Sequence, residues 1–281
     1  MWLILALLAA SMFTAQNLLM RVLAVKSVHP RTFSFVFNGW GTLFSILYII
    51  IEPPSLTMLP NISSTQWLLI AGAVLGYGIF ERTHFSVRKQ LDASTTAILF
   101  RLTPVITLIG ALLFLRESLS MTKLIGAALL ICASLTVIHK NPKLQSSRTV
   151  WLAIFSATAL GLAGLFDKPA SQGIPASLYN VALWMLSMLV VAIPSLSLNQ
   201  LKKEFYIGGW KVALTAFINV FGFILYLKAL AITDVSLVAP ITSSSGTLVI
   251  LGGIIFLNER TYLWRKLTAG ILMLIGVFLL R

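Results

Sequence analysis

Residues 92–138 read DASTTAILFRLTPVITLIGALLFLRESLSMTKLIGAALLICASLTVI, and residues 233–280 read TDVSLVAPITSSSGTLVILGGIIFLNERTYLWRKLTAGILMLIGVFLL. Each stretch carries an aspartate (Asp92, Asp234) followed by an apolar run that closes on a glutamate beside an arginine (Arg116-Glu117, Glu259-Arg260). A second apolar run follows in both. The aspartate-to-glutamate spacing is 25 residues in each copy, so the two align at an offset of 142 without a gap. Two additional residues after the second glutamate bring Gly126 opposite Gly270. A fixed internal period between apolar runs marks a repeated helical unit.

The composition sets the solvent. Hydrophobic residues make up 58% of the 281 and charged ones 10%, with a mean hydropathy of +0.94. Soluble domains carry about 25% charged residues, and one aqueous core cannot hide this much apolar surface. The chain reads as a polytopic membrane protein of the cell (inner) membrane. The first apolar stretch starts at Trp2, lacks a basic leader and runs into Arg21 without a small-residue cleavage site, so it reads as a retained span. A single cysteine, Cys132, excludes an internal disulfide and argues against a metal cluster. The net charge of +13 is scattered between apolar runs. It therefore points to anionic lipid head groups of the bilayer and not to nucleic acid.

A span needs about 20 apolar residues. Ten stretches qualify, at 2–20, 32–51, 66–85, 95–115, 123–139, 150–166, 176–194, 210–231, 235–257 and 267–280. The longest connections, 52–65 and 195–209, are rich in Pro, Ser, Asn or charge and read as loops. The expected fold is an all-α membrane protein of ten transmembrane helices. Its two five-helix repeats cover residues 1–140 and 148–281. Five is odd, so two such units in one chain lie in opposite orientations, an inverted repeat. Fifteen Lys and Arg follow odd-numbered spans and five follow even-numbered ones. By the positive-inside rule this puts both termini outside. Both repeats are present in one chain, so a monomer can be functional, and whether the chain dimerises stays open.

In combination, the small-residue helix, Pro104 within it, the terminal Glu117 or Glu259-Arg260, and the Gly126 or Gly270 of the last helix resemble the EamA-type unit of the drug/metabolite transporter superfamily. The resemblance is clearest over the last two helices of each half. It implies a ten-helix carrier of small metabolites, often amino acids or related compounds, often outward. It also implies cytoplasmic termini, opposite to the charge count. Gly246 departs from the pattern by standing where the second unit usually repeats the proline, and Pro240 falls six residues earlier.

Polar groups inside spans cost a few kcal/mol each on insertion scales and therefore face the bundle interior or water. Arg101 is the foremost candidate for substrate binding, one turn before Pro104. Its guanidinium does not lose its proton and calls for a carboxylate or phosphate. It clamps an anionic group of the substrate, pairs internally with Glu81, or snorkels to the interface. Pro104 interrupts the helical ladder and would free a carbonyl near a cavity. Glu81, His84 and Arg88 share one helix face at i, i+3, i+7. They read as a proton-sensing or gating stripe or as a polar helix end, and Glu81 is the carboxylate best suited to titrate. Gln16 and Asn17 suit a zwitterion, or serve as interhelical glue. Asp167-Lys168-Pro169 ends the sixth span and reads as an interhelical ion pair or a loop mark. In the second half Asn180, Trp184, Asn219, Tyr226, Lys228, Ser243, Ser244 and Ser245 offer hydrogen-bonding and aromatic surface. Ser243 is the repeat mate of Arg101, so the two are expected to face each other across the cavity. Asp92 and Asp234 read as structural N-caps. Glu117 and Glu259 read as interfacial ion pairs with the neighbouring Arg116 and Arg260. Gly72, Gly76, Gly161, Gly164, Gly252 and Gly253 are expected to allow close helix packing.

The residues favour a secondary transporter of small metabolites, working by alternating access around a central cavity. No cofactor is called for, and the coupling ion, a proton or otherwise, stays open. A lipid-intermediate flippase on the same architecture is the alternative. An intramembrane enzyme is disfavoured: the three histidines are scattered, and neither H-E-x-x-H nor G-x-S-x-G occurs.

Overall fold

The structure is a computed structural model. It describes the chain apart from residues 54–61, 115–119, 139–146, 172–173, 231, 234–237, 239–240 and 281, and apart from the side chains of Ala111, Lys168, Ala176 and Leu230. Asp234, Glu117 and Pro240, singled out above, lie outside the described residues.

The described residues form eleven α-helices. The first repeat holds α1 (Trp2–Lys26), α2 (Pro30–Ile51), α3 (Ser64–Gln90), α4 (Ala93–Leu99), α5 (Thr103–Phe114) and α6 (Met121–Ile138). The second holds α7 (Arg148–Ser171), α8 (Ala176–Ala192), α9 (Leu198–Leu230), α10 (Ser245–Phe256) and α11 (Leu263–Leu279). The expected fourth span is two helices, α4 and α5, joined by a 3-10 turn at Phe100–Leu102. Six helical stretches are long and apolar enough to cross a bilayer on length and composition alone, with Ala93–Phe114 counted as one. The long α3 is not among them; its last turns hold Glu81, Arg82, Arg88 and Lys89.

Packing follows the repeat. The helix α3 packs most broadly on α7, and its counterpart α9 packs on α1. The contacts of α2 with α9 and of α8 with α3 match in the same way, and further large contacts join counterparts directly, α2 to α8 and α6 to α11. Such matched contacts are the pattern that a two-fold relation between the repeats would give. Glycines set the closest approaches. A Cβ at Gly76 would lie 2.8 Å from the Ala159 carbonyl oxygen, and one at Gly126 would lie 2.8 Å from that of Gly276. Gly72 abuts Phe166, whereas Gly164 faces open space and brings no helix closer. Gly76→Leu is expected to destabilise the protein by about 1–3 kcal/mol, as overpacking does. Gly164→Leu should be near neutral in the same thermal unfolding series.

Helix starts depend on distant carboxylates. Asp92 occupies the N-cap position of α4 but makes no side-chain cap; its carboxylate accepts from Lys266 Nζ at 2.7 Å. Glu259 caps α4 instead. Its Oε1 accepts from the Ala93 N–H at 2.6 Å, and its Oε2 accepts from the Ser94 N–H at 2.9 Å and the Ser94 hydroxyl at 2.6 Å. Glu259 is therefore not an interfacial partner of Arg260, which is exposed. A carboxylate at a helix N-terminus satisfies orphan donors and meets the positive end of the helix dipole. Glu204 does the same for α2, accepting from the N–H groups of Val28 at 2.9 Å and His29 at 2.6 Å. Pro30 at the start of α2 has no N–H to satisfy. The expected loop at 195–209 is also corrected, since α9 begins at Leu198.

Candidate functional site

The middles of the helices surround a cavity of about 410 Å³. Among the described residues, every helix but α6 and α11 contributes to its wall, so both repeats build it. The wall is mainly aromatic and aliphatic, with Phe13, Tyr77, Phe80, Phe100, Trp184 and Phe223. Its polar groups are Gln16, Asn17, Asn38, Glu81, Arg88, Arg101, Asn180, Asn219, and smaller hydroxyls.

Arg101 reaches this cavity from the 3-10 turn between α4 and α5. Pro104 lacks the N–H that would continue the helical ladder, and the turn tightens just before it. The carbonyl expected to be freed is not free, because Phe100 O accepts from the Thr103 N–H. The guanidinium of Arg101 makes no hydrogen bond or ion pair with the described residues, so the internal pair with Glu81 does not form. It rests against Gly246 at the start of α10. A Cβ there would lie 2.8 Å from Arg101 Cζ and closer still to its nitrogens. The glycine standing where the repeat usually has proline thus leaves the room that the arginine occupies. Gly246 and Ser245, and not Ser243, form the wall facing Arg101. Ser243 and Ser244 do not line the cavity, and the Ser244 hydroxyl donates to Ile241 O at 2.6 Å.

Glu81 lies 8% exposed in the wall on α3. Its Oε2 accepts from Asn38 Nδ2 at 2.7 Å and from the Ser34 hydroxyl at 3.3 Å. Arg88, two turns on, donates from Nη2 to Asn17 Oδ1 at 2.7 Å and lies 5.4 Å from the Phe100 ring centroid. The stripe expected on this face divides: Glu81 and Arg88 line the cavity, and His84 does not. His84 is fully buried, stacks on Phe80 with centroids 4.8 Å apart, and sets Nδ1 3.3 Å from Phe80 O and 3.6 Å from Glu81 Oε2.

Gln16 and Asn17 line the cavity as expected, tied to each other by Asn17 Nδ2 and Gln16 Oε1 at 3.2 Å. Trp184 and Asn219 line it too, and Asn219 has no hydrogen-bond partner among the described residues. Tyr226 lies outside, packed on Phe223 with centroids 6.0 Å apart. Asp167 does not line the cavity and makes no ion pair with the described residues: its oxygens accept from the hydroxyls of Tyr77 and Tyr179. Lys228 pairs with Glu52 at 2.8 Å at the end of α2. That bond, with a second from Tyr48, holds the Glu52 carboxyl below its ordinary range. Among the described residues no three His, Cys, Asp or Glu side chains gather to hold a metal.

The aromatic wall escaped the sequence reading. Phe13, Phe80, Phe100 and Phe223 lie in apolar runs, where cavity-facing and lipid-facing rings are written alike.

A solved structure titled only "Crystal structure of protein" is similar to this chain with a TM-score of 0.62 at 14% identity, covering 99% of this chain and 95% of its own. At that identity the likeness speaks to the fold alone. No curated protein matches the chain in sequence. The model of the EamA-like transporter family matches residues 1–138 and, a second time, residues 147–281. Two copies spanning nearly the whole chain place it in the EamA-like transporter family, a membrane transporter family, to which it belongs.

Proposed function

We propose that the protein is a secondary active carrier of the cell membrane that exports a small metabolite bearing an anionic group, such as an amino acid or a related zwitterion. The observation that carries this reading is the guanidinium of Arg101, without a partner among the described residues, in a cavity built by both repeats. An arginine at that depth is expensive unless a ligand supplies its counter-charge. A volume of about 410 Å³ falls in the range of small-molecule sites. The apolar wall holds the body of the solute, and Arg101 takes its carboxylate or phosphate in a bidentate pair. Exchange of the cavity between the two membrane faces follows from rocking of two oppositely oriented five-helix repeats. The swapped contacts α3 on α7 and α9 on α1 support that symmetry.

A thermal-shift panel on the detergent-solubilised protein tests the substrate class. A ligand at 100 times its Kd stabilises by about 2.7 kcal/mol. Carboxylates or phosphates are expected to raise the melting temperature while neutral sugars do not. Stabilisation by neutral solutes alone would sink the anion reading. Orientation has its own test. A reporter fused after the last residue, active only outside the cytoplasm, is expected to give signal, because the basic connections follow odd-numbered spans. Signal from a cytoplasm-only reporter would reverse the assignment.

A further inference from the structure

We propose that the first turns of α9, Leu198 to Gly208, form an interfacial helix that binds anionic lipid head groups. The whole of α9 is 33 residues, about 50 Å at the helical rise and well over the bilayer's hydrocarbon thickness. It breaks at Gly209, whose φ of +50° and ψ of −148° are non-helical. The part beyond the break suffices to cross, and the part before it is left at the end where the basic connections gather.

That leading segment has two faces. On the inner one, Glu204 is fully buried and caps α2. Gln200 Oε1 accepts from the Thr32 hydroxyl at 3.3 Å, and Gly208 packs close to Phe33. On the outer one, Leu198, Lys202 and Tyr206 stand in a row at i, i+4, i+8. Leu198 is 74% exposed and Tyr206 82%. Lys203 is also exposed, and Trp210 and Lys211, both exposed, follow directly after the break. Tyrosine and tryptophan favour the head-group level of a bilayer. Three exposed lysines with no outward acid beside them complement phosphate. The only acid of the segment, Glu204, is turned inward and engaged. Aromatic rings beside lysines on one exposed face, anchored from behind, fit a lipid surface of negative charge. Through Glu204 the segment is tied to the start of α2, so lipid binding bears directly on a cavity-lining helix.

The test uses the full chain in phosphatidylcholine vesicles. Cys132, the free and exposed cysteine, is replaced by serine, and a fluorophore is attached at Tyr206→Cys. Quenching is compared for phosphatidylglycerol and phosphatidylcholine, each carrying a nitroxide near the carbonyl end of an acyl chain. The anionic lipid is expected to associate about fivefold more strongly, the size of one surface lysine contact. The variant K202E/K203E/K211E, altered only at exposed positions and checked for an unchanged melting curve, should lose that preference. Equal quenching by the two lipids overturns the proposal. So does a preference that survives charge reversal, or no quenching by either lipid.

Discussion

Arg101→Ala is expected to weaken substrate binding by about 10- to 100-fold, the value of a lost charged hydrogen-bond pair, while the protein remains folded. The two halves of that expectation have one cause. Arg101 has no partner among the described residues, so its removal breaks no bond seen there and relieves an unpaired charge from a half-buried site. Gly246→Ala attacks the same contact from the other wall. The added Cβ would strike the guanidinium, which is the far end of a flexible side chain, so the arginine yields and the helix stays. Affinity should fall while stability changes by less than about 1 kcal/mol. Binding by thermal shift and uptake into proteoliposomes check both variants. Wild-type transport by Arg101→Ala would remove Arg101 from the site.

The second large effect is on stability. Glu259→Ala should cost about 2–3 kcal/mol, the scale on which buried donors left without a charged acceptor destabilise a fold. The carboxylate accepts two backbone N–H groups and a hydroxyl at the start of α4. Without it, the Ala93 and Ser94 N–H groups are left buried and unmet. Arg260→Ala is the control. Arg260 is exposed, and a surface change of that kind falls within about 0.5 kcal/mol. Thermal unfolding in detergent separates them. If both variants melted alike, the cap across the repeats would not carry the helix start.

These two residues also mark how far the sequence reaches. Arg101 was legible because a permanent charge inside an apolar run is an energetic anomaly visible in one dimension. Pro104 was legible for the same reason: its missing N–H must break a helix wherever that helix packs. Glu259 was visible as an anomaly but was given the wrong partner, because its neighbour Arg260 is near in sequence and Ala93 is near only in space. His84 shows the converse, a polar residue in the right stripe whose ring turns behind Phe80.

By itself the sequence determined the membrane solvent, the two-fold repetition, the break before Pro104 and the charge set inside an apolar run at Arg101, since each follows from local composition or spacing. Only the tertiary structure decided which carboxylate caps which helix, why Gly246 stands where a proline is usual, and which rings enclose the cavity. Lipid-facing and core-facing side chains are both apolar in such a chain, so the amphipathic pattern that orients a soluble helix is weak here. Which face turns inward is then set by packing between distant helices.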